Sequence, residues 1–79
     1  MTNKEKYNKV FIETFSIDES ALNDDLSYNT IPSWDSVGHM TLIAGFEDIF
    51  GINMETDDII DFSSYNKGIE LLTKYGIEL

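Results

Sequence analysis

Apolar residues near the N-terminus recur at helical spacing: Tyr7, Val10, Phe11, Thr14 and Phe15 stand at i, i+3, i+4, i+7 and i+8. That spacing predicts an amphipathic helix from about Lys4 to Phe15 with one apolar stripe. A connection rich in Asp, Asn and Ser then runs from Ser16 to Asp35. About twenty structureless residues are unusual in a compact domain. Asp18 is placed to cap one short helical turn reaching Leu22, and Leu26, Ile31 and Trp34 are placed to pin the remainder to the core. Pro32 disfavours helix at Ile31 and delays the next helix until after it.

A second helix is predicted from Ser36 to about Phe50, closed by Gly51 at C′. In the following "TDDIIDF", Thr56 or Asp57 is placed to cap a turn that buries Ile59, Ile60 or Phe62. The last helix opens at Ser63 or Ser64 and continues to Tyr75, with Tyr65, Ile69 and Leu72 on one face and Gly76 ending it. Repeats and low-complexity tracts are absent, and alternating strand patterns are very short. The fold class read from this is all-α: a small bundle of three main helices plus one short helix.

The second helix carries two apolar faces. At about 100° per residue, His39, Leu42, Ile43, Phe46, Ile49 and Phe50 share an arc of roughly 120°, the expected core face. Val37, Met40 and Ala44 cluster nearly opposite, flanked by Thr41, Glu47 and Asp48. Such a cluster means a helix buried on both sides, scattered surface apolar residues of the ordinary kind, or an exposed apolar strip with an acidic rim, the usual form of a docking surface.

Composition narrows the functions open to such a bundle. The chain has 79 residues, enough for one small domain. Its 42% hydrophobic and 13% aromatic content supports a core rather than wholesale disorder. A formal charge of -10 argues against nucleic acid and anionic membranes and favours basic protein partners. Cysteine is absent, which excludes disulfides, thiolate zinc sites and a protein thiol nucleophile. The start "MTNKEKYNKV" has no signal-peptide core, and no window approaches a membrane span, so a cytosolic protein is expected.

Candidate chemistry concentrates in "SWDSVGHM", Ser33 to Met40. Ser36 is open to three readings: a helix cap, a nucleophile or an attachment point. Capping is what most serines before an apolar helix do. A hydrolase built from Ser36, His39 and Asp35 fails, because the base pair would have to form within one helical turn, without a nucleophile elbow or oxyanion hole. His39, on the core face, reads as a packed, hydrogen-bonded residue. A calcium loop at "DESALNDD" fails for want of the glycine and the terminal glutamate. Neither catalytic nor metal-binding residues are therefore assigned.

Attachment is where a family resemblance enters. Asp35-Ser36-Val37, then Leu42-Ile43, then "FEDIFGI" from Phe46 to Ile52 resemble the acyl carrier proteins, whose pattern is Asp-Ser-Leu, a mostly apolar helix and a Phe-Gly-Ile ending. The likeness extends over nearly the whole chain, so that residues 1–79 read as a single carrier domain. It implies that Ser36 carries 4′-phosphopantetheine, added by a phosphopantetheinyl transferase, with Asp35 helping to align the phosphate and its metal in that step. The arm would supply the thiol this chain lacks and hold an acyl group as a thioester. The protein itself would not be an enzyme but a phosphoprotein substrate for others. Val37, Met40, Thr41, Ala44, Glu47 and Asp48 would form the partner surface. Partners implied are the transferase, an acyl- or aminoacyl-loading ligase and downstream acyl-transferring enzymes with basic docking patches; a monomer is expected.

Departures from the fatty-acid pattern point toward a specialised biosynthetic pathway, such as polysaccharide decoration or a secondary metabolite. Val37 replaces the usual Leu, Gly38 and His39 stand where Asp and Thr are frequent, and Thr41 where a partner-contacting Glu is common. Trp34 before the Asp-Ser pair is also atypical, and Gly45 in mid-helix would permit close packing or a cavity. Aminoacyl or peptidyl carriers of the same fold are the alternative, and an unmodified acidic adaptor a further one. Phe46, Ile59, Ile60 and Ile69 are candidate lining residues for an acyl cavity, yet Phe11, Phe46 and Phe50 crowd the same space. A shallow or closed cavity is expected, with short or polar cargo.

Overall fold

Thr2 opens the first helix with a reciprocal cap. Its hydroxyl accepts from the Glu5 N–H at 3.1 Å, and the Glu5 carboxylate accepts from the Thr2 N–H at 2.9 Å. The computed structural model describes all residues, Met1–Leu79, as four α-helices: α1 Asn3–Phe15, α2 Ser36–Phe50, α3 Thr56–Asp61 and α4 Tyr65–Lys74. The architecture is the small all-helical bundle expected, and it contains no strand. Tyr7, Val10, Phe11 and Phe15 form the buried stripe of α1.

The long connection is ordered by three devices. A 3-10 turn, Glu19–Ala21, is closed by Ala21 N–H donating to Asp18 O and Leu22 N–H to Glu19 O, both at 3.0 Å. Asp18 stands at the capping position, but its side chain makes no capping bond, contrary to expectation; the backbone alone closes the turn. Leu26 and Trp34 are buried, and Ile31 packs against them. Finally, Tyr28 N–H donates to Ser63 O and Tyr65 N–H to Leu26 O, each at 2.9 Å, clamping the loop onto the start of α4.

Helix α2 has the predicted bounds, with Gly51 in the left-handed region at φ 64°. Leu42, Ile43 and Phe46 are buried while His39, Ile49 and Phe50 are half-buried, so the core arc stands. Helix α3 differs from expectation at its start. Glu55, not Thr56 or Asp57, is the cap residue, and it offers backbone only: its carbonyl accepts from Ile59 N–H at 3.0 Å. Phe62 is buried and Ile59 half-buried, whereas Ile60 is 71% exposed. Ile59 and Phe62 share a helix face; Ile60, about 100° round, cannot. In α4, Ser64 rather than Ser63 caps, accepting from Lys67 N–H at 3.0 Å. Tyr65 and Leu72 are buried and Ile69 half-buried, as the pattern predicted.

The centre is aromatic. Phe46 stacks between Tyr7, at 5.0 Å, and Phe62, at 5.4 Å, while Phe11 meets Tyr7, Phe46 and Trp34 edge-on. Such pairs contribute about 0.5–1.5 kcal/mol beyond area burial. The Tyr7 hydroxyl donates to Tyr65 O at 2.6 Å, and burial raises its pKa far above the ordinary value. Three glycines allow close approach, and a Cβ at Gly38 would overlap the Ser33 carbonyl oxygen. A Cβ at Gly45 would press on Val10 of α1, so the mid-helix glycine serves packing; one at Gly68 would overlap both the Phe62 ring and the Tyr7 hydroxyl.

Behind α3, Asp58 is buried and receives the Lys74 ammonium at 2.7 Å and the Tyr75 hydroxyl at 2.6 Å. The same hydroxyl accepts from Glu55 N–H at 2.8 Å. The Lys74 bond, then the Tyr75 bond, hold the Asp58 carboxyl below the usual carboxylate range. In return the carboxylate raises Lys74 and Tyr75 above theirs. No helix is long and apolar enough to cross a membrane.

Candidate functional site at the start of α2

Asp35 caps α2 by accepting from Gly38 N–H at 2.8 Å, which makes Ser36 the first helical residue and not the cap. The Ser36 side chain is exposed and its hydroxyl makes no hydrogen bond within the chain. The N–H groups of Ser36 and Val37 likewise have no partner in the chain, since the cap reaches only Gly38 and His39 N–H bonds Asp35 O at 2.7 Å. A free hydroxyl therefore projects beside unpaired amides at the positive end of a helix. Only one Asp35 oxygen is used by the cap.

His39 is bound at both ring nitrogens. Trp34 Nε1–H lies 2.9 Å from Nδ1, and Nε2 lies 2.8 Å from Ile59 O. The indole nitrogen only donates, so Nδ1 accepts, and Nε2 carries the proton it gives to the carbonyl. The imidazole thus ties α2 to α3 and is the packed, bonded histidine the sequence suggested. It is not poised to activate Ser36, because both ring nitrogens are engaged elsewhere. No group of three or more His, Asp or Glu side chains is arranged to hold a metal ion.

Beside Ser36 a cleft of about 370 Å³ opens between α2 and α3, lined by Tyr28, Ser36, His39, Met40, Ile59, Ile60, Phe62 and Ser63. Of the four lining residues expected, Ile59 and Ile60 are present. Phe46 and Ile69 are not: Phe46 is enclosed in the aromatic stack, and Ile69 packs against the core from α4. Tyr28, His39, Met40, Phe62 and Ser63 were not anticipated as lining. Tyr28 arrives from a loop, and its one local signal is that it is a lone large aromatic among small polar residues.

The strip of α2 opposite its core arc is exposed, with Val37 at 74% and Met40, which also lines the cleft, at 53% accessible and Ala44 beside them. Burial on both sides is thereby excluded, which leaves ordinary surface apolar residues or a docking strip. Thr41 and Asp48 are exposed at its edge, the Thr41 hydroxyl turned back to Val37 O at 3.1 Å. Glu47 differs: it is half-buried, and its carboxylate accepts from Met54 N–H at 2.9 Å, securing the loop after α2.

The site is thus an unengaged serine at the start of the second helix of a small acidic bundle. No family model matches the chain. An acyl carrier protein of Lactobacillus johnsonii is 28% identical over 78 residues, spanning 95% of this chain and 98% of that protein. The chain thus resembles an acyl carrier protein along nearly its whole length, in keeping with the likeness seen in its motifs.

Proposed function

We propose that residues 1–79 form one carrier domain that bears 4′-phosphopantetheine on Ser36 and presents an acyl group to partner enzymes. The observation that carries this reading is the exposed, unbonded Ser36 hydroxyl at the first position of α2, beside two free N–H groups. A phosphodiester there gains hydrogen-bond donors and the helix dipole, the latter contributing about 0.3–1 kcal/mol to a bound anion. The free oxygen of Asp35 is available to a metal ion brought by the transferase. When attached, the group supplies a thiol on which the acyl cargo is held as a thioester. The chain's own part is to fix the attachment point, shelter cargo in the adjoining cleft and offer the Val37–Met40–Ala44 strip for docking. Delivery then works through raised effective concentration rather than catalysis.

The partners in this reading are a phosphopantetheinyl transferase, a loading ligase and downstream enzymes with basic docking patches, acting on a cytoplasmic monomer. The departures at Trp34, Val37, Gly38 and His39 support a specialised biosynthetic pathway over general fatty-acid synthesis. Most of the cleft lining is apolar, which favours an acyl over an aminoacyl cargo. Intact mass after incubation with coenzyme A and a broad-specificity transferase tests the assignment. The wild type should gain one phosphopantetheine and Ser36→Ala none. Modification at Ser33, Ser63 or Ser64 would refute Ser36 as the site, and no modification at all would favour the unmodified adaptor.

A further inference from the structure

We propose that His39 sets the longest acyl group this protein shelters, by bolting shut the inner wall of the cleft beside Ser36. The inference rests on the carrier reading of Ser36 and adds a specificity-determining residue to it. His39 and Phe62 form the inner wall of the cleft, and the His39 ring lies parallel to Trp34 at 6.2 Å and meets Phe62 edge-on at 6.1 Å. Trp34 and Phe62 are fully enclosed, and Phe11 and Phe46 fill the space behind them.

The ring is held from both sides. Ile59 O belongs to the last turn of α3 and has no backbone partner, so the His39 Nε2–H is what satisfies it. Trp34 Nε1–H has His39 Nδ1 as its acceptor. Swinging the imidazole aside would leave a buried indole N–H and a helix-end carbonyl unpaired together, which penalises opening twice. A helix-to-helix bridge made by one side chain therefore acts as a bolt. A short group tethered near Ser36 can lie over Met40, Ile59 and Ile60; a longer one finds the interior closed and extends into water.

The test uses the holo protein, loaded with saturated acyl groups from acetyl to dodecanoyl, and follows the melting temperature relative to the unloaded holo form of the same variant. In the wild type the rise should level off after the shortest groups. In His39→Ala the levelling should move to longer chains. Trp34→Phe removes the indole N–H while keeping an aromatic ring, and it should move the plateau in the same direction by less. Referring each series to its own unloaded form cancels a merely structural loss, which would lower all forms alike. A wild type that keeps stabilising through dodecanoyl, or variants whose plateau matches the wild type, would overturn the inference. Intact mass separates the two levels: no gain at Ser36 removes the carrier reading and this inference with it. A proper gain with unchanged length profiles removes the role of His39 alone. Should His39→Ala not fold, Trp34→Phe and the wild-type series decide.

Discussion

The seam between α1 and α2 and the corner between α2 and α3 are built from different materials. In the seam, Tyr7 and Phe11 meet Phe46 ring to ring, and Gly45 lets Val10 come close. In the corner, α3 and the loop before it are held largely by single polar bonds: His39 to Ile59 O, Glu47 to Met54 N–H, and Asp58 to Lys74 and Tyr75. A six-residue helix is far below the roughly 12–15 residues at which isolated helices become even marginal. Its position is therefore set by those bonds and by Phe62. Individually such bonds contribute about 0.5–1.5 kcal/mol, against about 3–5 lost when a core phenylalanine is truncated to alanine. The apolar seam fixes the fold; the polar corner, beside Ser36, fixes the shape of the site and is the easier to alter one bond at a time.

The comparison breaks most readily at the seam. Phe46→Ala should cost about 3–5 kcal/mol in chemical denaturation, out of roughly 4–12 expected for a chain of 79 residues. A loss under about 1 kcal/mol would mean the stack relaxes around the gap and that the seam does not dominate.

At the corner, Asp58→Asn should lower the melting temperature by less than Phe46→Ala and change its pH dependence. The carboxyl is held below its ordinary value of 3.8, so its ionised form favours the folded state. That contribution is complete above 3.8 and is lost as pH falls through the lower folded value. Wild type and variant should therefore differ by a constant amount from neutral pH down toward 3.8 and converge below it. Parallel curves throughout would show that the ionised carboxyl favours the folded state no more than the protonated one.

The seam was legible in the sequence and much of the corner was not, for a physical reason. Helix α2 could be bounded because Asp35, Ser36 and Gly51 act within a turn of their own positions. The stripe of α1 and the core arc of α2 follow from helical spacing alone. The place of Ser36 at the start of α2 was legible too, because local rules put the helix start there. Asp58, by contrast, meets partners 16 and 17 residues further along the chain, and its burial contradicts what an Asp in "TDDIID" suggests on average. Gly68 reads as a weak point in a helix; only the packed structure shows that Phe62 and Tyr7 occupy the place of its side chain. Glu47 looked like surface charge because its partner, the Met54 N–H, lies beyond the turn at Gly51. Tyr28 reaches the cleft only because the loop is clamped to α4.

The smallest stability effect belongs to the outer face of α2, where seam and corner both end and where function is expected to be felt instead. Met40 is 53% exposed, so Met40→Ala should stay within about 0.5 kcal/mol of wild type while slowing modification by the transferase. Asp48 has no hydrogen bond within the chain, so Asp48→Lys is the clean charge reversal; at Glu47 the same change would also release the Met54 N–H. With a net charge of -10, association with a basic partner is expected to slow as salt shortens the screening length from about 10 Å at 0.1 M to about 3 Å at 1 M. Asp48→Lys should slow association at low salt and converge on wild type at high salt, because only the screened component has changed. Stopped-flow association rates at several ionic strengths measure this directly. If Asp48→Lys and wild type differ equally at every salt concentration, Asp48 acts by contact rather than by field; if they never differ, the acidic rim has no part in recognition. A loss of 2–5 kcal/mol for Met40→Ala, the scale of a buried methionine, would overturn the exposed-strip reading altogether.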